Sequence, residues 1–271
     1  MTTLVSTTPR TSGARSRRLS VPGWVPGATG LLVFLLLWWV MGAFGNIGTA
    51  AGGSSAIPTP FAVVGQLFDD GFTFYWRNAS VTLTAAATGF VIGNLLAVLT
   101  ASLVLIAPWL EGIATQLAVI TYCLPLIAIG PVVYAVGGQP MTANVLAGLS
   151  VYFVTVVTTI QGLKSADRAG LDVITVAGGS RLQQLTKVQL IGAIPYVFTA
   201  LKIAAPASVL GAILGEYVGG ITRGLGPAMV AAQGNNVERL WALAIVGVVV
   251  AGIAYAVIAV IGRYATPWTR R

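Results

Sequence analysis

Residues 164–190 read KSADRAGLDVITVAGGSRLQQLTKVQL, and this segment is the most polar interruption of an otherwise apolar chain. It holds six of the 22 charged residues, a total made of 15 Lys plus Arg and 7 Asp plus Glu. The sequence on both sides is apolar enough to lie in lipid. We therefore expect this segment to face water between two membrane spans.

The overall composition indicates a membrane protein and excludes several kinds of chemistry. Mean hydropathy is +0.87, and only 8% of the residues are charged, against roughly 25% in a typical soluble domain. The chain has no histidine and one cysteine. That excludes catalysis by a histidine base, a Cys–His pair, a His/Cys metal site and an intrachain disulfide. We expect no catalytic residue and no metal site.

Apolar runs of about 20 residues predict an all-α membrane protein with about six transmembrane helices. The predicted spans are approximately 28–45, 80–106, 112–136, 142–163, 190–217 and 239–262. Small residues recur inside them at helical spacing, which favours close helix packing in lipid. Examples are Gly89, Gly93, Ala97, Gly211 and Gly215.

The distribution of basic residues predicts the orientation of the chain. With both termini in the cytoplasm, twelve Lys and Arg lie inside and only Arg77, Arg223 and Arg239 lie outside. An excess of basic residues inside is the usual pattern for membrane proteins. Residues 1–23 then form a disordered basic cytoplasmic tail, 24–271 form one transmembrane domain, and the 164–190 loop is cytoplasmic.

The loop at 46–79 is the longest external segment of the predicted topology. Pro58 and Pro60 fit the start of a helix. An apolar stripe follows at helical spacing, made of Phe61, Val64, Leu67 and Phe68. We predict a short amphipathic helix on the outer membrane surface, and we interpret Asp69 and Asp70 as its solvated end.

Within the 164–190 loop, the sequence predicts two short helices joined by a tight turn. Asp172 is expected to cap or stabilise a helix N-terminus. Gly178-Gly179 permits a sharp turn without steric conflict, and Ser180 is a candidate N-cap for the next helix. Apolar side chains precede the turn, namely Val173, Ile174, Val176 and Ala177. Such an element is either a docking surface for a soluble partner or a simple interfacial connector.

This loop resembles the cytoplasmic EAA loop of permease subunits of bacterial ABC importers. The match runs through Asp172-Val173-Ile174, Gly178 and Val188-Gln189-Leu190-Ile191 with preserved spacing. Asp172 replaces the Glu of the pattern, Val173 and Ile174 replace its two Ala, and Ile191 replaces its Pro. Three further stretches are similar to the nitrate/sulfonate/taurine branch of these permeases. They are Ile57–Pro60, Ile194–Ala204, and Gly215–Gly219 with Gly224–Gly226. The resemblance covers residues 57–265.

The resemblance implies a type I importer permease fold and a defined set of partners. Two permease subunits, as a homodimer or a paralogous heterodimer, would bind two ABC ATPases, and an extracytoplasmic solute-binding protein would deliver the solute. The chain lacks the GxxxxGK[ST] phosphate loop. ATP and Mg would therefore be bound by the partner ATPase. The resemblance places ATPase coupling on Asp172, Val173, Ile174, Ala177, Gly178, Gly179, Arg181 and Leu182, in a multi-pass protein of the bacterial inner membrane.

Four residues in the spans are candidates for a translocation path, because polar groups and helix breaks within membranes often serve function. They are Tyr122, Pro125, Lys202 and Glu216. Each has a simpler interpretation: a packing kink at Tyr122 and Pro125, a snorkelling side chain at Lys202, and an interfacial carboxylate paired with Arg223 or Arg239 at Glu216. A secondary transporter or channel without an ATPase is the alternative function. The sequence itself does not identify the solute.

Overall fold

The computed structural model describes Pro22 and residues 24–44, 56–220 and 222–270, and these residues are mostly helical, with no β-strand among them. Most of the predicted basic tail at 1–23 lies outside the described residues. The α-helices are α1 (Val25–Phe44), α2 (Pro60–Ile106), α3 (Glu111–Cys123), α4 (Leu126–Lys164), α5 (Arg168–Val176), α6 (Arg181–Gln184), α7 (Leu190–Val218), α8 (Leu225–Gln233) and α9 (Val237–Ala265). Two 3₁₀ turns, Pro108–Leu110 and Pro267–Arg270, and a π-helical turn, Leu185–Gln189, complete the described chain.

Five helical segments in the described ranges are long and apolar enough to cross a membrane. They are α1, α2, α4, α9 and the segment Leu182–Val218, which includes α7. Five of the six predicted spans fall in these segments, with residue 45 of the first one outside the described chain.

The predicted span at 112–136 is interrupted at Pro125, where the sequence indicates a helix break. This stretch is divided between α3 and the beginning of α4, with Leu124 in extended conformation (φ −66°, ψ 124°). Pro125 causes the break, because its ring disfavours helical geometry at the preceding residue and it has no N–H to donate. A second break inside α4, at Gly138 with φ +73°, separates this stretch from the next predicted span.

The predicted external helix is the first part of α2. Thr59 caps it by accepting a hydrogen bond from the backbone N–H of Ala62 at 3.3 Å, and Pro60 occupies the first turn. Gly71, with φ +74°, separates this part from the span that follows. Phe61, Val64 and Phe68 are exposed, at 77%, 47% and 81%, whereas Leu67 packs against the buried core, so most of the apolar stripe faces away from the core.

Helix α4 packs between α2 and α7, and glycines at both contacts let the backbones approach. A Cβ at Gly93 would lie 2.6 Å from the carbonyl oxygen of Gly148, and one at Gly211 would lie 2.7 Å from the carbonyl oxygen of Leu146. Real Cβ atoms do not approach backbone atoms so closely. The prediction that small residues allow close packing is therefore confirmed at these positions.

This packing predicts a large difference between two glycine substitutions. Gly93→Ala should destabilise the helix pair by about 1–3 kcal/mol, because the added methyl overpacks a backbone contact. It should lower the midpoint of thermal unfolding in detergent. Gly252→Ala in α9 is the matched control, since nothing lies within 4 Å of its Cβ position. Equal midpoints for the two variants would contradict this description of the contact.

Candidate functional site

The polar loop folds as a compact pair of short helices, which we call the paired-helix element (residues 167–184). Its first helix, α5, is capped by Asp167, whose carboxylate accepts a hydrogen bond from the Ala169 N–H at 3.2 Å. Asp172 lies in the middle of α5 and is exposed. The predicted capping role of Asp172 is therefore wrong. Asp167 has the extended backbone that an N-cap requires (ψ 122°), whereas Asp172 has helical geometry.

The predicted turn between two short helices is confirmed. Gly178 has φ +74°, a left-handed conformation that glycine adopts without penalty. A Cβ at Gly179 would lie 2.8 Å from the Ile174 carbonyl oxygen. Ser180 and Gln183 cap each other reciprocally: the Gln183 amide oxygen accepts from the Ser180 N–H at 2.9 Å, and the Ser180 hydroxyl accepts from the Gln183 N–H at 3.4 Å.

The paired-helix element presents an apolar surface outside the protein core. Val173 and Val176 of α5 are 68% and 89% exposed, and Leu182 of α6 is 68% exposed. The Gln184 side chain donates to the Thr175 hydroxyl at 2.8 Å and ties the two helices together. The other coupling residues suggested by the sequence surround the turn: Ala177 and Gly178 are exposed, Ile174 and Gly179 are half-buried, and Arg181 begins α6.

The second helix of this element leads into the membrane, as the stretch SRLQQLTKVQL before the predicted span at 190–217 indicates, and only its π-helical turn was not predicted. The π-helical turn Leu185–Gln189 follows α6 directly and leads into α7 without an intervening loop. The chain is therefore helical from Arg181 to Val218. π-helical turns are rare and occur frequently at functional sites.

Glu216, in the last turn of α7, lies in a polar cluster at the other end of the same helix. Its side chain is only 1% exposed. Its Oε2 accepts hydrogen bonds from the Thr82 hydroxyl at 2.9 Å and from the Gly226 N–H at 3.0 Å, while Oε1 has no partner among the described residues. The alternative of pairing with Arg223 or Arg239 is therefore wrong. The carboxylate instead joins α7 to α2 and to the N-terminus of α8.

Glycines at the start of α8 make room for this carboxylate. A Cβ at Gly224 would lie 2.5 Å from both Cδ and Oε2 of Glu216, and a Cβ at Gly226 would lie 2.8 Å from the Glu216 Cβ. The Thr82 hydroxyl also accepts from the Leu225 N–H at 2.9 Å. A carboxylate beside the first N–H groups of a helix is electrostatically favourable. The Gly-Leu-Gly sequence at 224–226 indicates a close backbone approach. It does not indicate that Thr82 is the second hydrogen-bond partner of Glu216.

Asp70 is the centre of a second cluster, between α2 and the first turn of α9. Its side chain is 6% exposed and forms an ion pair with Arg239. Asp70 also accepts hydrogen bonds from Tyr75 at 2.8 Å and Gln66 at 2.9 Å. The interpretation of Asp70 as a solvated helix end is wrong, because the break at Gly71 leaves it against α9. Asp69 is exposed, as expected.

The four predicted path residues do not form one site. Tyr122 is 66% exposed and stacks on Phe153 with ring centroids 4.6 Å apart, and Pro125 lies at the break between α3 and α4. Lys202 and Glu216 are both in α7, separated by roughly 21 Å at 1.5 Å per residue. Their role in translocation stays a prediction. Among the described residues, no three acidic or cysteine side chains converge as a metal site would require.

Comparison with known proteins places these features in a family. Residues 93–271 match the family model described as "Binding-protein-dependent transport system inner membrane component", which is about two thirds of the chain. A probable ABC transporter permease protein of Haemophilus influenzae is 29% identical over 74% of this chain and 80% of its own length.

Two further relatives have names that mention a solute. A formylaminopyrimidine transport permease protein of Halalkalibacterium halodurans is 26% identical, over 63% of this chain and 68% of its own length. A putative aliphatic sulfonates transport permease protein of Bacillus subtilis is 23% identical, over 91% of this chain and 88% of its own length. The apolar helices and these matches agree, and the chain belongs to the family of binding-protein-dependent transport system inner membrane components, as a nitrate/sulfonate-type importer permease.

Proposed function

We propose that this chain couples ATP hydrolysis by a partner ATPase to solute import, and that the paired-helix element is the docking site for that ATPase. The observation that carries the proposal is the exposed apolar surface of this element, above all Val176 at 89% exposure. Burying such side chains against a partner is favourable by about 25 cal/mol for each Å² of apolar surface removed from water. In a connector without a partner, these apolar side chains would stay exposed to water with no compensating contact.

The second support is the continuous path from the element into the membrane. Because α6, the π-helical turn and α7 follow one another directly, a displacement of the paired-helix element is transmitted to α7. The tight turn at Gly178-Gly179 and the reciprocal caps of Ser180 and Gln183 keep the element rigid. ATP binding would then shift the balance between two conformations of the permease, because the ATPase contacts differ between them.

The assembly that follows has two copies of the ATPase and two permease subunits, the second being another copy of this chain or a paralogue. An extracytoplasmic solute-binding protein delivers the solute, and ATP and Mg are bound by the ATPase. The solute is a small anionic or organic molecule, in keeping with the sulfonates and the formylaminopyrimidine named for two relatives. The subunit itself is not an enzyme.

Co-purification tests the class of protein. A tagged copy of this chain, solubilised from its native membranes in mild detergent, should retain an ABC ATPase identified by mass spectrometry. A Val176→Glu variant should retain much less of it, because the added carboxylate would have to be buried in the docking surface. A secondary transporter or channel would be recovered without an ATPase in both cases, and that result would refute the proposal.

The proposed orientation places the paired-helix element in the cytoplasm of the bacterial inner membrane, with both termini on the same side. Cysteine labelling checks it on a Cys123→Ser background, which removes the one cysteine of the chain. A membrane-impermeant maleimide should label Ser54→Cys in intact cells and Ser165→Cys only after the membrane is opened. Labelling of Ser165→Cys in intact cells would contradict the orientation.

The role of Glu216 in transport has its own test. Glu216→Gln keeps an oxygen that can accept from Thr82 and Gly226, so the subunit should fold and bind its ATPase. If the carboxylate controls the outer end of α7, transport should be slower than wild type at saturating solute. Unchanged uptake kinetics, with normal assembly, would restrict Glu216 to holding α8 in place.

A further inference from the structure

An open cavity of about 420 Å³ lies between α2, α8 and the first turn of α9. Its lining includes three arginines, Arg77, Arg223 and Arg239, and none of the described residues that line it is acidic. Asn235 and Asn236 add amide groups to the wall. The cavity is therefore polar and basic, in contrast to the apolar surfaces of the spans.

The arginines differ in how their charge is balanced. Arg239 is held by Asp70, and its guanidinium carbon lies 5.5 Å from the centroid of the Phe74 ring. Arg77 and Arg223 are exposed and form no ion pair with any described residue. The cavity thus combines one oriented guanidinium with two whose charge is uncompensated. Guanidinium groups bind planar and tetrahedral oxyanions through parallel N–H donors.

The position of these residues in the sequence makes their convergence informative. Arg77, Arg223 and Arg239 are all the basic residues that the predicted topology places outside. Basic residues are disfavoured near the outer ends of spans. Arg223 and Arg239 stand on either side of α8, and the fold brings Arg77 from α2 to the same cavity.

We propose that this cavity is an oxyanion-binding site at the outer mouth of the permease, and that it takes small molecules carrying a sulfonate, carboxylate or phosphate group. Its volume falls within the roughly 300–1,000 Å³ of small-molecule sites. We expect this cavity to receive the solute that the binding protein releases, and this role rests on the proposed function. An anionic lipid headgroup has the same chemistry and would compete for the same donors.

The test uses the purified full chain in phosphatidylcholine nanodiscs, with the thermal-unfolding midpoint as readout. The probes are methanesulfonate and inorganic phosphate, each compared with chloride at equal ionic strength so that general screening cancels. Both probes should raise the midpoint more than chloride does. The Arg77→Gln/Arg223→Gln double variant should bind them roughly tenfold or more weakly, because two charged hydrogen-bond donors are lost. Lys187→Gln removes the same charge from an exposed position next to the paired-helix element and should bind them normally.

Each other outcome has a definite meaning. Weaker probe binding in phosphatidylglycerol nanodiscs than in phosphatidylcholine, at a salt concentration high enough to screen the surface potential, supports the site and identifies the lipid headgroup as a second source of the oxyanion. Equal probe effects in wild type and double variant, or no effect in either nanodisc, would overturn the proposal. A double variant that binds the probes normally but loses the solute-binding protein would also overturn it, since the arginines would then dock an acidic protein surface. No ATPase is present, so failure here is distinguishable from failure of ATPase co-purification.

Discussion

Val176→Glu should abolish most coupled transport while leaving the subunit folded and inserted. The side chain is 89% exposed, so the substitution removes no internal contact. In the docked complex the carboxylate would be buried without a partner, which costs several kcal/mol. We expect the ATPase to dissociate, and solute-stimulated ATP hydrolysis in reconstituted vesicles to fall by roughly tenfold or more, since about 1.4 kcal/mol corresponds to each factor of ten.

Gly112→Glu is the matched control for this prediction. It adds the same carboxylate at the start of α3, where nothing lies within 4 Å of the Cβ position. This end of α3 lies near the paired-helix element, because Glu111 forms an ion pair with Lys164 at 2.5 Å. Coupling should survive Gly112→Glu. Equal losses in both variants would point to a general effect of negative charge on this side, and normal coupling in Val176→Glu would contradict docking.

Gly224→Ala should have the largest effect on folding. The added methyl would overlap the Glu216 carboxylate, whose Cδ lies 2.5 Å from the Cβ position. Gly224 also has φ +140° and ψ 174°, a region that is essentially restricted to glycine. Together these should destabilise the outer end of α7 by about 3 kcal/mol or more. The yield of monodisperse protein in detergent and its unfolding midpoint measure the effect.

Gly220→Ala separates backbone strain from the steric conflict. Gly220 has φ +61°, and nothing lies within 4 Å of its Cβ position. Alanine there should lower the free energy of unfolding by only about 1–2 kcal/mol, the penalty of a left-handed conformation. If Gly220→Ala and Gly224→Ala lower the midpoint equally, the contact between Gly224 and Glu216 does not contribute to stability.

The local features of this protein could be predicted from its sequence because they depend on neighbouring residues. Long apolar runs gave the spans, and the Gly178-Gly179 pair gave the turn of the paired-helix element. The break at Pro125 depends on a local signal too. This proline predicts a break within the span at 112–136, and the structure has one there.

The polar clusters depend on tertiary contacts that a single sequence does not contain. Thr82 and Glu216 are 134 positions apart, and Asp70 and Arg239 are 169 positions apart. Acidic residues next to a glycine at a helix end are usually solvated, so Asp70 was expected to be exposed. Its burial depends on the angle at Gly71 and on the position of α9, which only the folded chain defines.

Site-specific photocrosslinking tests the docking of the ATPase most directly. A photoreactive phenylalanine placed at Val176 in the assembled importer should form a covalent adduct with the ATPase. The same group at Phe72, which follows the break in α2 and lies outside the membrane in the proposed orientation, should not crosslink to the ATPase. An assembled and active importer in which the group at Val176 never crosslinks to the ATPase would contradict the central claim that the paired-helix element is the docking site.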